Sequence, residues 1–196
     1  MGLYGASFGA AAAAAGFSIV QACAVSLLVF TGASQFALAG VLGAGGSVAA
    51  GVASAVLLGG RNGLYAVILK ERIPVHGWRR GVAAHLTIDE STAMATASPP
   101  AWTHLGFWWT GLTVYVVWNL ATFVGALSAS AVEPTAVGLD GAVGAAFLGL
   151  LWPRLREAWP VAVGAAVLAV IAVPLTPPGV PVLLAGVAVL PALARR

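Results

Sequence analysis

Stretch after stretch of this sequence is apolar, and three of them reach the roughly 20 residues that a helix needs to cross a lipid hydrocarbon layer. Only short basic or proline-rich breaks separate the stretches. Where no water reaches the backbone, amides and carbonyls must bond within the fold, so such runs read as helices. Successive segments are expected at 3–16 (short), 18–44, 47–69, 81–97 (short and polar), 102–129, 138–152 (short), 160–174 and 179–194. Trp102, Trp108, Trp109, Tyr115 and Trp118 fall in the fifth. The expected fold is all-α: a polytopic membrane helix bundle of about seven or eight segments, some short or broken, with residues 1–196 as one integral membrane domain.

Composition excludes the main competitor. The chain is 60% hydrophobic and 8% charged, whereas a soluble domain carries roughly 25% charged residues. Its 25 glycines match membrane helices, in which small residues let backbones approach. Residues 1–16 lack the basic start of a signal peptide. Gly5, Gly9 and Ala13 recur at every fourth position there. That flat face accepts either a partner backbone or another helix of this chain. Cys23 has no second cysteine to pair with and reads as a small buried hydrophobe.

Eight of the 9 basic residues lie in three clusters: Lys70, Arg72, Arg79 and Arg80; Arg154 and Arg156; Arg195 and Arg196. They read as cytoplasmic loop charges, not as a nucleic-acid surface. Three segments between Arg80 and Arg154 make an odd count, so either a short segment is re-entrant or one cluster faces out. Short, glycine-interrupted segments in related positions mark transport sites. The order Gly-polar start, small-residue helix, break and long apolar helix occurs near 32–58 and again near 138–170, as an inverted repeat would leave it.

The ninth basic residue is Arg61, inside the third segment. It lies nine residues before Lys70, hence roughly 13 Å deeper than the loop at 1.5 Å per residue. That is beyond comfortable snorkelling, and an arginine there costs about 2.5–3.5 kcal/mol on insertion scales. A partner is expected. Asp89 and Glu90 in the fourth segment and Asp140 at the start of the sixth are the candidates. Adjacent carboxylates on a helix point about 100° apart, so one faces Arg61 and the other a cavity. Asp140 also suits a helix N-cap. Thr31, Ser34 and Gln35 interrupt the second segment. They read either as glue between helices or as a broken helix whose amides bind a carboxylate. Asn62, Asn119 and His85 complete the buried polar set.

His76, His85 and His104 have no metal-ligand spacing, and no phosphate loop occurs, so neither metal nor cofactor is expected. Ser34 with His85 or His104 is the only hydrolase arrangement to weigh, and "GASQF" lacks the following glycine of a nucleophile elbow. A channel would need a repeated polar ring, which is missing.

The stretches "SLLVFTGASQFALAGVLGAG", "GGRNGLYAVIL", "TIDESTAMA" and "GLDGAVGAAFLGLLWPRL" resemble, in order and spacing, the AzlC-type permeases. The resemblance covers nearly all of residues 3 to 190. Two positions depart from the family pattern. Gly59 stands where Asn is usual, and Asn62 where His is usual. The family also usually begins some twenty residues earlier, so Met1 falls inside its first helix; a shortened gene model and a compact relative both fit.

The resemblance implies the large subunit of a two-component exporter of branched-chain amino acids. It would be multi-pass in the cell's inner (plasma) membrane, proton-driven and paired with a small AzlD-type membrane subunit. In that reading Arg61, Asn62, Thr31, Ser34 and Gln35 contact substrate, and Asp89, Glu90 and Asp140 carry the coupling proton or the ammonium. The chain's partners would be that subunit, the amino acid and the lipid bilayer, with no catalytic role. A non-transporting membrane subunit, with Arg61 and Asp89 as a structural pair, and an intramembrane hydrolase are the alternatives.

Overall fold

The computed structural model describes residues 1–130, Trp152 and 155–189, and every regular element among them is helical. The N-terminal half alternates short helices with breaks: α1 (Gly2–Ala14), α2 (Ile19–Leu28), α3 (Gly32–Gly43), α4 (Val48–Gly59), α5 (Arg61–Leu69), α6 (Trp78–His85) and α7 (Asp89–Ala97). A 3-10 turn at Pro100–Trp102 leads into α8 (Thr103–Ser130). Towards the C-terminus come α9 (Trp159–Ala172), α10 (Val180–Ala185) and a final 3-10 turn, Gly186–Val189.

Local chemistry sets these limits. Pro99 and Pro100 stop α7 from continuing and open the turn before α8, because proline offers no amide and restricts its predecessor. From there 28 residues without proline make the longest helix. Ser18 caps α2 in a reciprocal box with Gln21, and Ser47 caps α4 through the amide of Ala50.

The chain packs around α8. Gly5 and Gly9 of α1 lie against it, where a β-carbon at Gly5 would come within 2.7 Å of the Trp118 carbonyl. One at Gly9 would overlap the Thr122 carbonyl, and one at Gly125 the Ala6 carbonyl. The small-residue face of the first segment is thus filled from within. Of the two readings of that face, a partner backbone or another helix of this chain, the structure shows the second: α8 covers it. A hydrogen-bond chain runs through the seam. Ser26 Oγ donates to Thr122 Oγ1 at 3.1 Å, and Thr122 Oγ1 donates to the Gly5 carbonyl at 3.2 Å. Phe8 meets Phe36 edge-on at 5.6 Å, tying α1 to α3.

Among the described residues two helices are long and apolar enough to cross a membrane by length and composition, Val48–Leu69 with 22 residues and Pro100–Ala129 with 30. The first is α4 and α5 joined through Gly60, whose helical backbone is followed by a tighter bond from the Gly63 amide to the Gly60 carbonyl at 3.0 Å. Ile19–Leu28, Gly32–Gly43 and Trp159–Ala172 are apolar but shorter. The second expected segment is two half-helices, α2 and α3, broken at Val29–Thr31. The fourth is likewise split, into α6 and α7, at Leu86–Ile88. The sixth segment, with Asp140, lies almost wholly outside the described residues, as do Arg154, Arg195, Arg196 and about half of the second copy of the inverted repeat.

Candidate functional site

The two breaks face each other across the same space. At the first, α2 ends with its last carbonyls unpaired by helix geometry. Gln35 reaches back to them: its Nε2 donates to the Val29 carbonyl at 2.6 Å and to the Ser26 carbonyl at 3.3 Å. Its Oε1 accepts from Trp118 Nε1 at 2.9 Å. Ser34 Oγ donates to the Ala55 carbonyl at 2.7 Å, fastening α3 to α4. Both side chains are fully buried. At the second break Ser91 does the corresponding work, accepting from the Ile88 amide at 3.1 Å and donating to the Leu86 carbonyl at 2.6 Å.

Between the breaks stands the arginine. Arg61 Nη2 meets Asp89 Oδ2 at 3.0 Å. Gly59 clears the way, since a β-carbon there would press on Ser34 Oγ at 3.0 Å. Asp89 and Glu90 occupy the first turn of α7, where the helix dipole favours negative charge. The two side chains of the pair are 35% and 33% exposed, so the pair is reachable rather than sealed.

They line a cavity of about 40 Å³. Its polar wall is Thr31, Arg61, Asn62, Asp89 and Glu90, with the start of α3 at Gly32 and Ala33. First-turn amides there have no intrahelical acceptor. Its apolar wall is Phe30, Ile88, Val114 and Trp118, and Met1 completes the lining. The volume admits water, which needs about 10–15 Å³, and falls well below the roughly 300 Å³ at which ligand clefts begin. The space is therefore water-sized, with the ion pair in its polar wall.

Its polar atoms are under-bonded. Among the described residues, the buried side-chain atoms without a hydrogen-bond partner include Thr31 Oγ1, Arg61 Nε, Asn62 Oδ1 and Asp89 Oδ1, all on cavity residues. Buried polar groups are nearly always satisfied in folded proteins. Four orphans around one small space therefore point to something polar that enters it.

Of the residues singled out in the sequence, Thr31, Arg61, Asn62, Asp89 and Glu90 come together here. Ser34 and Gln35 stand behind the wall, bonded into the fold. Asp140 lies outside the described residues. Phe30, Ile88 and Val114 were not foreseen. Val114 and Trp118 are one helical turn apart on α8 and share a face; of the two, the sequence singles out only Trp118, as one of the aromatics of the fifth segment. His85 packs against Phe30 and Tyr115, with ring centres 5.9 and 5.5 Å away. Ser34 Oγ donates its hydrogen bond to a backbone carbonyl.

Long apolar helices, broken half-helices and a charged cavity between them define a helical membrane protein with a polar interior site. A family model for the AzlC protein matches residues 1–132, and the chain belongs to the AzlC family. The matched stretch contains both breaks, the arginine and α8. Membership assigns a membrane transport-related role for branched-chain amino acids, in a family of transporters that work as part of two-component systems. No curated protein and no solved structure matches the chain.

Proposed function

We propose that this chain is the large subunit of a two-component secondary transporter that exports branched-chain amino acids, and that the Arg61–Asp89 pair is its substrate-exchangeable gate. The whole of residues 1–196 forms one multi-pass domain of the inner membrane, in about seven or eight segments, and a small AzlD-type membrane subunit completes the unit. The observation that carries the reading is the cluster of four unpartnered polar atoms around the closed cavity.

A zwitterion matches that cluster group for group. Its carboxylate takes the planar fork of Arg61, with Thr31 and the α3 amides as further donors. Its ammonium donates to Asn62 Oδ1 and to the carboxylates of Asp89 and Glu90. Each end replaces one half of the ion pair, and a zwitterion adds no net charge, so the charge of the site is the same whether closed on itself or loaded. That limits the cost of holding charge at depth. Phe30, Ile88, Val114 and Trp118 receive the branched side chain. Ser34 and Gln35 act one layer back, holding the broken helix in shape. Opening uses the two breaks, where the backbone turns without losing helix bonds. Protonation of Asp89 or Glu90, with Asp140 as a third carrier, releases Arg61 and couples flux to the proton gradient.

Vesicles loaded with unlabelled leucine, and containing this chain with its small partner, are expected to accumulate labelled leucine, isoleucine and valine by counterflow. Arg61→Lys should insert normally and lose most of that exchange, because a point ammonium cannot reproduce a two-pronged contact. Full exchange by the lysine variant would overturn the contact. A purely structural pair predicts something else: the double swap Arg61→Asp with Asp89→Arg would retain activity.

A further inference from the structure

A second concentration of charge lies at the end of the molecule where α5 stops. Residues 70–80 carry Lys70, Arg72, Arg79 and Arg80 against Glu71 alone. Among the described residues none of these four cations is held in an ion pair. The first turn of α6 contains no acidic residue to offset its arginines. The loop follows directly on the span Val48–Leu69, and His104 and Trp108 sit in the first turns of the span Pro100–Ala129 beside it. Both spans therefore present the same end here, at the level of a membrane interface.

Two grooves flank the loop and share Pro74, Val75 and His76. One, of about 540 Å³, has an apolar wall of Val82, Trp108 and Leu112 and a cationic or imidazole rim of Arg79, His76 and His104. The other, of about 390 Å³, has Ile73, Ala83 and Phe107 below and Lys70 and Arg80 above. Trp78 stands at the mouth of the first, 77% exposed, with the Arg79 guanidinium 5.9 Å from its ring centre. Exposed tryptophan beside apolar wall and arginine rim is the pattern of a headgroup-level anchor.

We infer that the larger groove binds one anionic phospholipid of the leaflet that faces this loop. Its phosphate lies between Arg79, His76 and His104, and an acyl chain runs along Val82, Trp108 and Leu112. The charge excess selects an anionic head over a zwitterionic one. The apolar wall selects a lipid over a free phosphate, which would leave that wall wet.

The test uses the full chain in phosphatidylcholine vesicles doped with brominated phosphatidylglycerol or brominated phosphatidylcholine, whose bromines quench tryptophan on contact. The brominated anionic lipid should quench at the lower mole fraction. Arg79→Gln should reduce that preference about fivefold, as expected for one basic side chain near the surface. Val82→Phe, which fills the groove and changes no charge, should remove it. Arg72→Gln, in the same loop but outside both grooves, should leave it within about twofold; this separates a site from the roughly equal per-residue attraction of any basic surface. Emission in undoped vesicles checks that each variant is folded. Equal quenching by the two lipids overturns the proposal. So does a fall with Arg72→Gln as large as with Arg79→Gln, or displacement of the lipid by inorganic phosphate.

Discussion

The seam between α1 and α8 and the cavity between the two breaks both bury polar atoms beside helices that approach closely. They differ in how those atoms are spent. In the seam, Ser26, Thr122 and the Gly5 carbonyl form a closed chain of donors and acceptors. In the cavity, Thr31, Arg61, Asn62 and Asp89 each keep an unused atom. A satisfied network stabilises one arrangement, whereas an unsatisfied one holds capacity for a ligand at a standing cost in stability. Under the proposed function, the contrast separates the part of the molecule that holds shape from the part that exchanges partners.

The seam should be the less forgiving of bulk. Gly9→Leu drives a side chain into the Thr122 backbone. Overpacking commonly costs about 1–3 kcal/mol, and more is expected here because the obstacle is backbone. The expected outcome is loss of folded protein, read as yield and as a monodisperse peak in detergent. If Gly9→Leu instead accumulates like the parent and only loses its small subunit on co-purification, α1 docks the partner after all and the seam is not what it is drawn to be.

The cavity should fail in the opposite way, in function before fold. Arg61→Lys keeps the charge and loses the fork. Hydrogen bonds to charged groups are worth about 1.5–3 kcal/mol, so exchange should fall roughly 10- to 100-fold while the melting temperature moves little. The acidic pair then divides the labour. Asp89→Asn should abolish export driven by an imposed pH gradient and spare some exchange of labelled substrate, because it removes the carboxylate that holds Arg61 closed. Glu90→Gln, on the same wall but not in the 3.0 Å contact, should have the smaller effect on exchange. If both variants answer the gradient like the parent, the proton travels elsewhere and Asp140 is next.

Much of this division was legible in the residues, but not all. The course of α8 follows from 28 residues without proline. The pairing of Arg61 follows from scarcity, since a deep arginine has few carboxylates to choose from. The break at Val29–Thr31 was foreshadowed by "TGAS". The break at Leu86–Ile88 was not, because Leu, Thr and Ile there read equally well as continuing helix. Ser34 and Gln35 looked like ligands because a hydroxyl or an amide in an apolar run has the same signature whether it meets substrate or plugs a broken backbone; only the direction of the side chain decides. Gly5 and Gly9 declared a flat face without declaring what lies on it. Small-residue spacing encodes closeness, not identity.

The finest version of the comparison uses one substitution at two places. Threonine and valine have nearly the same shape, so Thr→Val removes a hydroxyl and little else. At Thr122 the hydroxyl both accepts from Ser26 and donates to Gly5. Its loss strands the buried Ser26 hydroxyl and leaves the Gly5 carbonyl only its helix bond, at about 1–3 kcal/mol, and thermal stability should fall with exchange largely kept in whatever protein survives. At Thr31 the oxygen has no partner in the closed cavity. Replacing it removes an unsatisfied group and strands nothing, so stability should hold or rise slightly. Exchange should nevertheless drop a few-fold, about the factor expected for one lost neutral hydrogen bond of roughly 1 kcal/mol to a bound carboxylate. A melting curve and a counterflow rate for each variant therefore give opposite signs at the two sites. A Thr31→Val variant that is destabilised like Thr122→Val would mean the Thr31 hydroxyl is already bonded in the resting protein, and the cavity would lose one of its four open atoms.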